Sequence, residues 1–194
     1  MYPKLIGDRT QIVRLLALMY VALIAVSVVI RHKGIDVDTA DVPLYYKYSL
    51  KVMQSQLPYR DFSLEYPPLA LLPMIIPQLA NFGQTLGFRT YADLFGLLNV
   101  IFCTSVALLL LQIRHYWHTR QNFSWTLKAY IILTLISAPI LFWRYDLFPA
   151  LLTLLALQFV LSDRPTIAGI SLGFGIAAKL YPVVLLPIFL IYYL

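Results

Sequence analysis

Long uncharged apolar runs alternate with short polar clusters along the whole chain. The runs fall at Leu15 to Ile30, Tyr66 to Phe88, Leu94 to Ile113, Ala129 to Trp143, Leu147 to Ser162, Pro165 to Ala178 and Leu180 to Leu194. A helix needs about 20 apolar residues to cross the hydrocarbon of a bilayer, and several of these runs are shorter. Flanking Tyr, Trp, Lys and Arg extend such runs to the interface by snorkelling, and Trp117, Trp125 and Trp143 all stand at run ends, as an aromatic belt requires. The pattern predicts an all-α, polytopic transmembrane helical bundle. It has about six spanning helices and one broken or re-entrant segment, with residues 1–194 forming a single transmembrane domain.

The broken segment is Leu69 to Phe88, which holds Pro73, Pro77, Gly83 and Gly87 and makes a poor uninterrupted helix. Topology turns on it. If it spans, the basic loop Arg114, His115, His118 and Arg120 falls outside the cell, against the positive-inside bias, and Trp143 to Asp146 falls inside. If it dips in and returns, that loop is cytoplasmic, and residues 36–65, Arg144 to Asp146 and Lys179 share the outer face. The second arrangement is the expected one. The first run follows Lys4, Arg9 and Arg14 and ends on Arg31, His32 and Lys33 with no small-x-small cleavage site. It therefore reads as a first transmembrane helix with a cytoplasmic N-terminus, not a cleaved signal.

Composition strengthens the lipid reading: 60% of residues are hydrophobic and only 12% charged, with mean hydropathy +0.76. The formal net charge of +6 forms no basic stripe interleaved with aromatics, so nucleic acid is not an expected partner. The single cysteine, Cys103, lies in an apolar run as a small buried hydrophobe. His32, His115 and His118 repeat no ligand spacing, and neither a metal nor a cofactor is expected.

Between Arg31 and Pro68 the chain is too polar for lipid and too aromatic for a loose linker, so it reads as an ordered first outer loop. Within it, Leu44 to Met53 has helical spacing, with Leu44, Tyr48 and Val52 on one side and Lys47 and Lys51 on another, as an interfacial helix has. Asp36, Asp38 and Asp41 precede that helix. Asp41 is placed to cap its first turn, and the Asp36-Val37-Asp38 pair is more simply a solvated loop than a cation site.

Three stretches resemble a known family: Asp41-x-x-x-Tyr45 with Pro58-Tyr59-Arg60-Asp61-Phe62 and Glu65-Tyr66-Pro67-Pro68-Leu69; then Arg144-Tyr145-Asp146; then Gly173 to Pro182 with its Lys179-x-x-Pro182. In this order they are similar to the GT87 family of polyprenyl-phosphate-mannose-dependent mannosyltransferases, which are GT-C-type glycosyltransferases. The resemblance runs over residues 36–187. It implies a multi-pass enzyme of the cell membrane that moves a hexose, typically mannose, from a polyprenyl-phosphate donor to a hydroxyl on a lipid or glycan acceptor at the outer face. The family's catalytic carboxylate maps onto Asp41, and a positioned base is what a sugar hydroxyl needs to become a nucleophile. The departing polyprenyl phosphate needs cations, for which Arg60, Arg144 and Lys179 are the candidates. Glu65 would orient the loop through Arg60, and Tyr45 and Asp146 would support the site. A lysine between two apolar runs costs energy and asks for a reason, an interfacial anchor being the plain one.

Two other classes fit the apolar pattern. One is a transporter or channel in which Lys179 and Asp146 line a path and the broken segment is a discontinuous helix; the other is a non-catalytic membrane assembly protein. GT-C enzymes have more membrane helices than are counted here, and the chain stops at Leu194 within an apolar run, so an N-terminal part of a longer enzyme is expected.

Overall fold

The computed structural model describes residues 13–14, 17–25, 29, 41–81, 84–113 and 123–194. The Asp36-Val37-Asp38 pair, the basic loop Arg114 to Arg120 and the three histidines lie outside these residues. Helix α1 (residues 17–25) lies within the first apolar run. It is followed by α2 (Val42–Met53), α3 (Leu71–Leu79), α4 (Phe88–Ile113), α5 (Phe123–Leu141), α6 (Leu147–Leu161), α7 (Pro165–Ala178) and α8 (Leu186–Tyr193). No strand occurs among the described residues, so the all-α expectation holds.

Among the described residues one helix, α4, is both long and apolar enough to cross a membrane. Its 26 residues rise about 39 Å at 1.5 Å each, against a hydrocarbon core of about 30 Å. Helices α6 and α7 are shorter apolar cylinders with no polar face, and they pack on each other more extensively than any other pair. Large apolar side chains stay uncovered on α5 (Ile132, Leu133, Ile136), on α7 (Ile170, Phe174) and on α8 (Ile188, Leu190, Ile191). Such a surface is out of place in water.

The Leu69 to Phe88 segment is interrupted, although its helix runs through Pro73 and Pro77 and ends beyond them. Pro67 is extended and Pro68 to Ala70 form a three-residue 3-10 turn, after which α3 lasts nine residues and ends two positions past Pro77. The helical part is about 18 Å long, shorter than α6 or α7. It is pinned by hydrogen bonds to its neighbours. The buried Gln78 side chain donates to Ser49 Oγ of α2 at 3.2 Å and accepts from the Leu86 amide at 3.0 Å, while Tyr91 of α4 donates to the Met74 carbonyl at 2.8 Å.

Four apolar clusters organise the interior, of which one joins α2, the loop at Phe62 and Leu64, α3, the start of α4 and Tyr145. A second packs α1 against α4 and α5, a third joins α4 to the start of α6 and the end of α7, and a fourth joins α6, α7 and Phe189 of α8. In α2 the buried face is centred on Val42, Tyr45, Tyr48 and Ser49, with Leu44 and Val52 at its margins. On α7, only Gly175 of the three glycines sits at a close approach: a Cβ there would stand 3.5 Å from Pro182 and from Thr153 Oγ1, whereas one at Gly169 or Gly173 would meet nothing.

Candidate functional site

The site is built on the short turn between α5 and α6. Helix α5 ends at Leu141, leaving the Phe142 carbonyl without a helical partner, and the buried Asn99 amide of α4 donates to it at 3.2 Å. The next four residues are Trp143, Arg144, Tyr145 and Asp146. Asp146 occupies the N-cap of α6 with its carbonyl accepting from the Ala150 amide, yet its side chain makes no capping bond. It forms an ion pair with Lys179 instead. Lys179 is positioned by the end of α7, where its amide donates to the Gly175 carbonyl at 2.9 Å before the backbone turns extended and a new 3-10 segment, Tyr181–Leu185, begins with Pro182 as its second residue.

Asp41 repeats the arrangement at α2. It sits at the N-cap with helical backbone angles and makes no side-chain cap bond, which corrects the capping expectation. Pro43 at the second helical position has no amide hydrogen, so one of the usual targets of a capping oxygen is missing. The carboxylate turns instead to Arg144 Nη1 in an ion pair, and Tyr45 donates its hydroxyl to the same oxygen at 3.2 Å. The two pairs thus meet on one tripeptide, Arg144 reaching back 103 residues to Asp41 and Asp146 reaching forward 33 to Lys179.

Tyr145 stands between them, with only 2% of its surface exposed. Its ring makes edge contacts with Tyr45 at 5.7 Å and Tyr66 at 5.2 Å between centroids, and the Lys179 ammonium lies 5.4 Å from its centroid. Tyr45 and Tyr66 close the triangle at 5.9 Å, and Phe95 of α4 backs Tyr45 at 5.4 Å. Burial, reinforced by neighbouring carboxylates that include Asp41, pushes the hydroxyls of Tyr45, Tyr66 and Tyr145 above the ordinary phenol value. All three therefore remain neutral hydrogen-bond donors at physiological pH.

Of the residues singled out from sequence, Asp41, Tyr45, Arg144, Asp146 and Lys179 converge here. Arg60 does not join them. It is exposed, and its guanidinium forks onto its chain neighbour Asp61 at 2.8 and 2.9 Å, so among the described residues it is Asp61 and not Glu65 that holds it. Glu65 is exposed beside Tyr66. Tyr145 was missed by sequence reasoning, which read it only as part of a motif. Contact between Asp41 and Arg144 places both at one end of the molecule, although α4 and α5 lie between them in sequence. No group of three or more potential metal ligands occurs among the described residues.

The sequence matches the model of glycosyltransferase family 87 over residues 64–192, a stretch that contains Tyr66, Arg144, Tyr145, Asp146 and Lys179. Asp41 and Arg60 precede it. No curated protein and no solved structure matches the chain.

Proposed function

Because this chain belongs to glycosyltransferase family 87, whose members are membrane proteins, we propose that it moves a hexose from a polyprenyl-phosphate donor to an acceptor hydroxyl. Transfer takes place at the outer face of the cell membrane, and mannose is the sugar we favour. The setting is a GT-C-like multi-pass bundle, with α4 spanning, the shorter apolar helices completing the span count to about six, and the α2 loop outside. The observation that carries this reading is the convergence of Asp41, Arg144, Asp146 and Lys179 around one buried tyrosine.

The chemistry follows from that set. Asp41 takes the proton of the acceptor hydroxyl, whose oxygen attacks the anomeric carbon as the bond from that carbon to the phosphate oxygen breaks. The leaving group departs as polyprenyl phosphate, and Arg144 and Lys179 receive its negative charge. Both cations already hold a carboxylate, so the donor phosphate competes with Asp41 for Arg144 and with Asp146 for Lys179. Donor binding thereby releases Asp41 from its counter-ion at the moment a base is required. The polyprenyl tail stays in lipid against the uncovered apolar side chains of the bundle. A transport path is a weaker fit, because the charges lie at helix ends in neutral pairs and not along a helix interior.

The test is sugar transfer from a polyprenyl-phosphate hexose by the full-length protein in membranes, with and without Asp41→Asn. Transfer that disappears in the variant while expression and donor binding persist is the expected result. Undiminished transfer by Asp41→Asn removes Asp41 from the chemistry.

A further inference from the structure

Among the described residues the hydroxyl of Tyr145 has no hydrogen-bond partner, although it is sealed from solvent. Buried hydroxyls are nearly always paired, and one left alone is a standing cost to the fold. Nothing in the packing of the turn requires it, because phenylalanine would make the same ring contacts with Tyr45 and Tyr66 and would accept the same cation on its face. The orphaned group also sits where charge is concentrated, with Arg144 and Asp146 as its two chain neighbours and Lys179 over its ring.

Resting on the donor reading above, we propose that the Tyr145 hydroxyl is a third donor-recognition group, giving its hydrogen bond to the phosphate of the polyprenyl carrier. As the phosphate draws Arg144 from Asp41 and Lys179 from Asp146, the two ion pairs anchored on either side of Tyr145 separate and the hydroxyl gains its acceptor. A neutral hydroxyl suits this role: it adds a directional bond to an anion without adding charge that must be desolvated when the site is empty. Burial, together with the charges of Asp146 and Asp41, keeps the group protonated, so it can donate throughout the physiological range.

Tyr145→Phe in the full-length detergent-purified protein separates recognition from structure. The probe is a short-chain polyprenyl monophosphate, with the polyprenol of equal length as the uncharged control. The variant is expected to bind the phosphate on the order of tenfold more weakly, to bind the polyprenol as wild type does, and to unfold at the same temperature or higher. Equal affinity of variant and wild type for the phosphate overturns the proposal. A lowered unfolding temperature, or failure to fold, also overturns it, since the hydroxyl would then have a structural partner. If the wild type itself does not prefer the phosphate to the polyprenol, the donor reading fails first and this inference falls with it.

Discussion

Two tripeptides in this chain contain the same three residue types in different order, Tyr59-Arg60-Asp61 in the loop after α2 and Arg144-Tyr145-Asp146 between α5 and α6. In the first, arginine and aspartate are adjacent and satisfy each other in a two-pronged pair. Asp61 also accepts from the Leu57 amide at 2.8 Å, while Tyr59, with φ at 63°, has a largely exposed ring whose hydroxyl donates to the nearby Tyr66 carbonyl. In the second, the tyrosine intervenes, the two charges find distant partners, and the ring between them is buried. An exposed pair of neighbours contributes little to stability and is screened by salt. Pairs that close over 103 and 33 residues hold α2, α6 and α7 at one point. One transposition of residues separates a turn that closes on itself from one that assembles a site.

Substitutions sharpen the contrast, and the largest effect belongs to Asp41→Asn, which should reduce transfer by about 10²- to 10⁴-fold, the usual contribution of a positioned base. Asp36→Asn should leave transfer near wild type in the same assay, and an equal loss there would reassign the base. Lys179→Met should lower donor affinity or transfer by roughly 10- to 10³-fold, through one charge-assisted bond of about 1.5 to 3 kcal/mol and part of a transition-state contact. The protein should still fold, because the Asp146 carboxylate that loses its partner is 42% exposed and can be hydrated. Normal transfer by Lys179→Met makes the lysine an anchor and moves the phosphate site toward Arg60 and Arg144.

A direct comparison of the two turns comes next. Arg144→Gln should weaken donor binding by roughly tenfold, whereas Arg60→Gln should change it by less than about twofold, as loss of an exposed pair does. Reversal of that order, read by titration with polyprenyl phosphate, would exchange their roles.

The smallest effects are in pH. Arg60, with the Leu57 amide, holds the Asp61 carboxyl below its usual value, so its contribution is present above the ordinary aspartate range and lost as pH falls through the depressed value. Limited proteolysis at residues 54–62 should quicken in strong acid. Tyr45, Tyr66 and Tyr145 titrate above the ordinary phenol value, so their contribution is whole below about pH 10 and lost as pH rises beyond it. Near-ultraviolet absorbance should show phenolate forming together with unfolding in alkali, not before it.

Much of this fold is legible as apolar runs. Pro165 to Ala178 is recovered to the residue, and Leu147 to Ser162 differs from α6 by one. The prolines of Leu69 to Phe88 signalled a broken segment, yet α3 carries Pro77 in its interior and ends two residues beyond it, at a place no proline marks. Charged candidates were legible for a related reason: a lysine or aspartate beside lipid is costly enough to stand out. What was not legible depends on contacts distant in sequence. Asp41 looked like a cap, because the cap needs only local residues whereas its real partner is Arg144. Tyr145 is one of 14 tyrosines, and only the meeting of α2, the Tyr66 loop and α7 distinguishes it. Arg60 and Arg144 are equally basic on paper, and the neighbour that holds the first becomes evident only with the turn geometry.

The separation of 103 residues between Asp41 and Arg144 also imposes a timetable on synthesis. At about 5 to 20 residues per second, Arg144 leaves the ribosome roughly 5 to 20 seconds after Asp41. Throughout that interval α4 and α5 are being made and Asp41 has no guanidinium to meet. Its carboxylate must wait in water with the α2 loop around it, and Lys179 has yet to be translated. The tyrosine triangle closes only when the turn after α5 arrives, and the second ion pair only when α7 is finished. The cluster around Tyr145 is thus assembled only after α4 and α5, and a nascent chain halted before residue 144 cannot carry either ion pair.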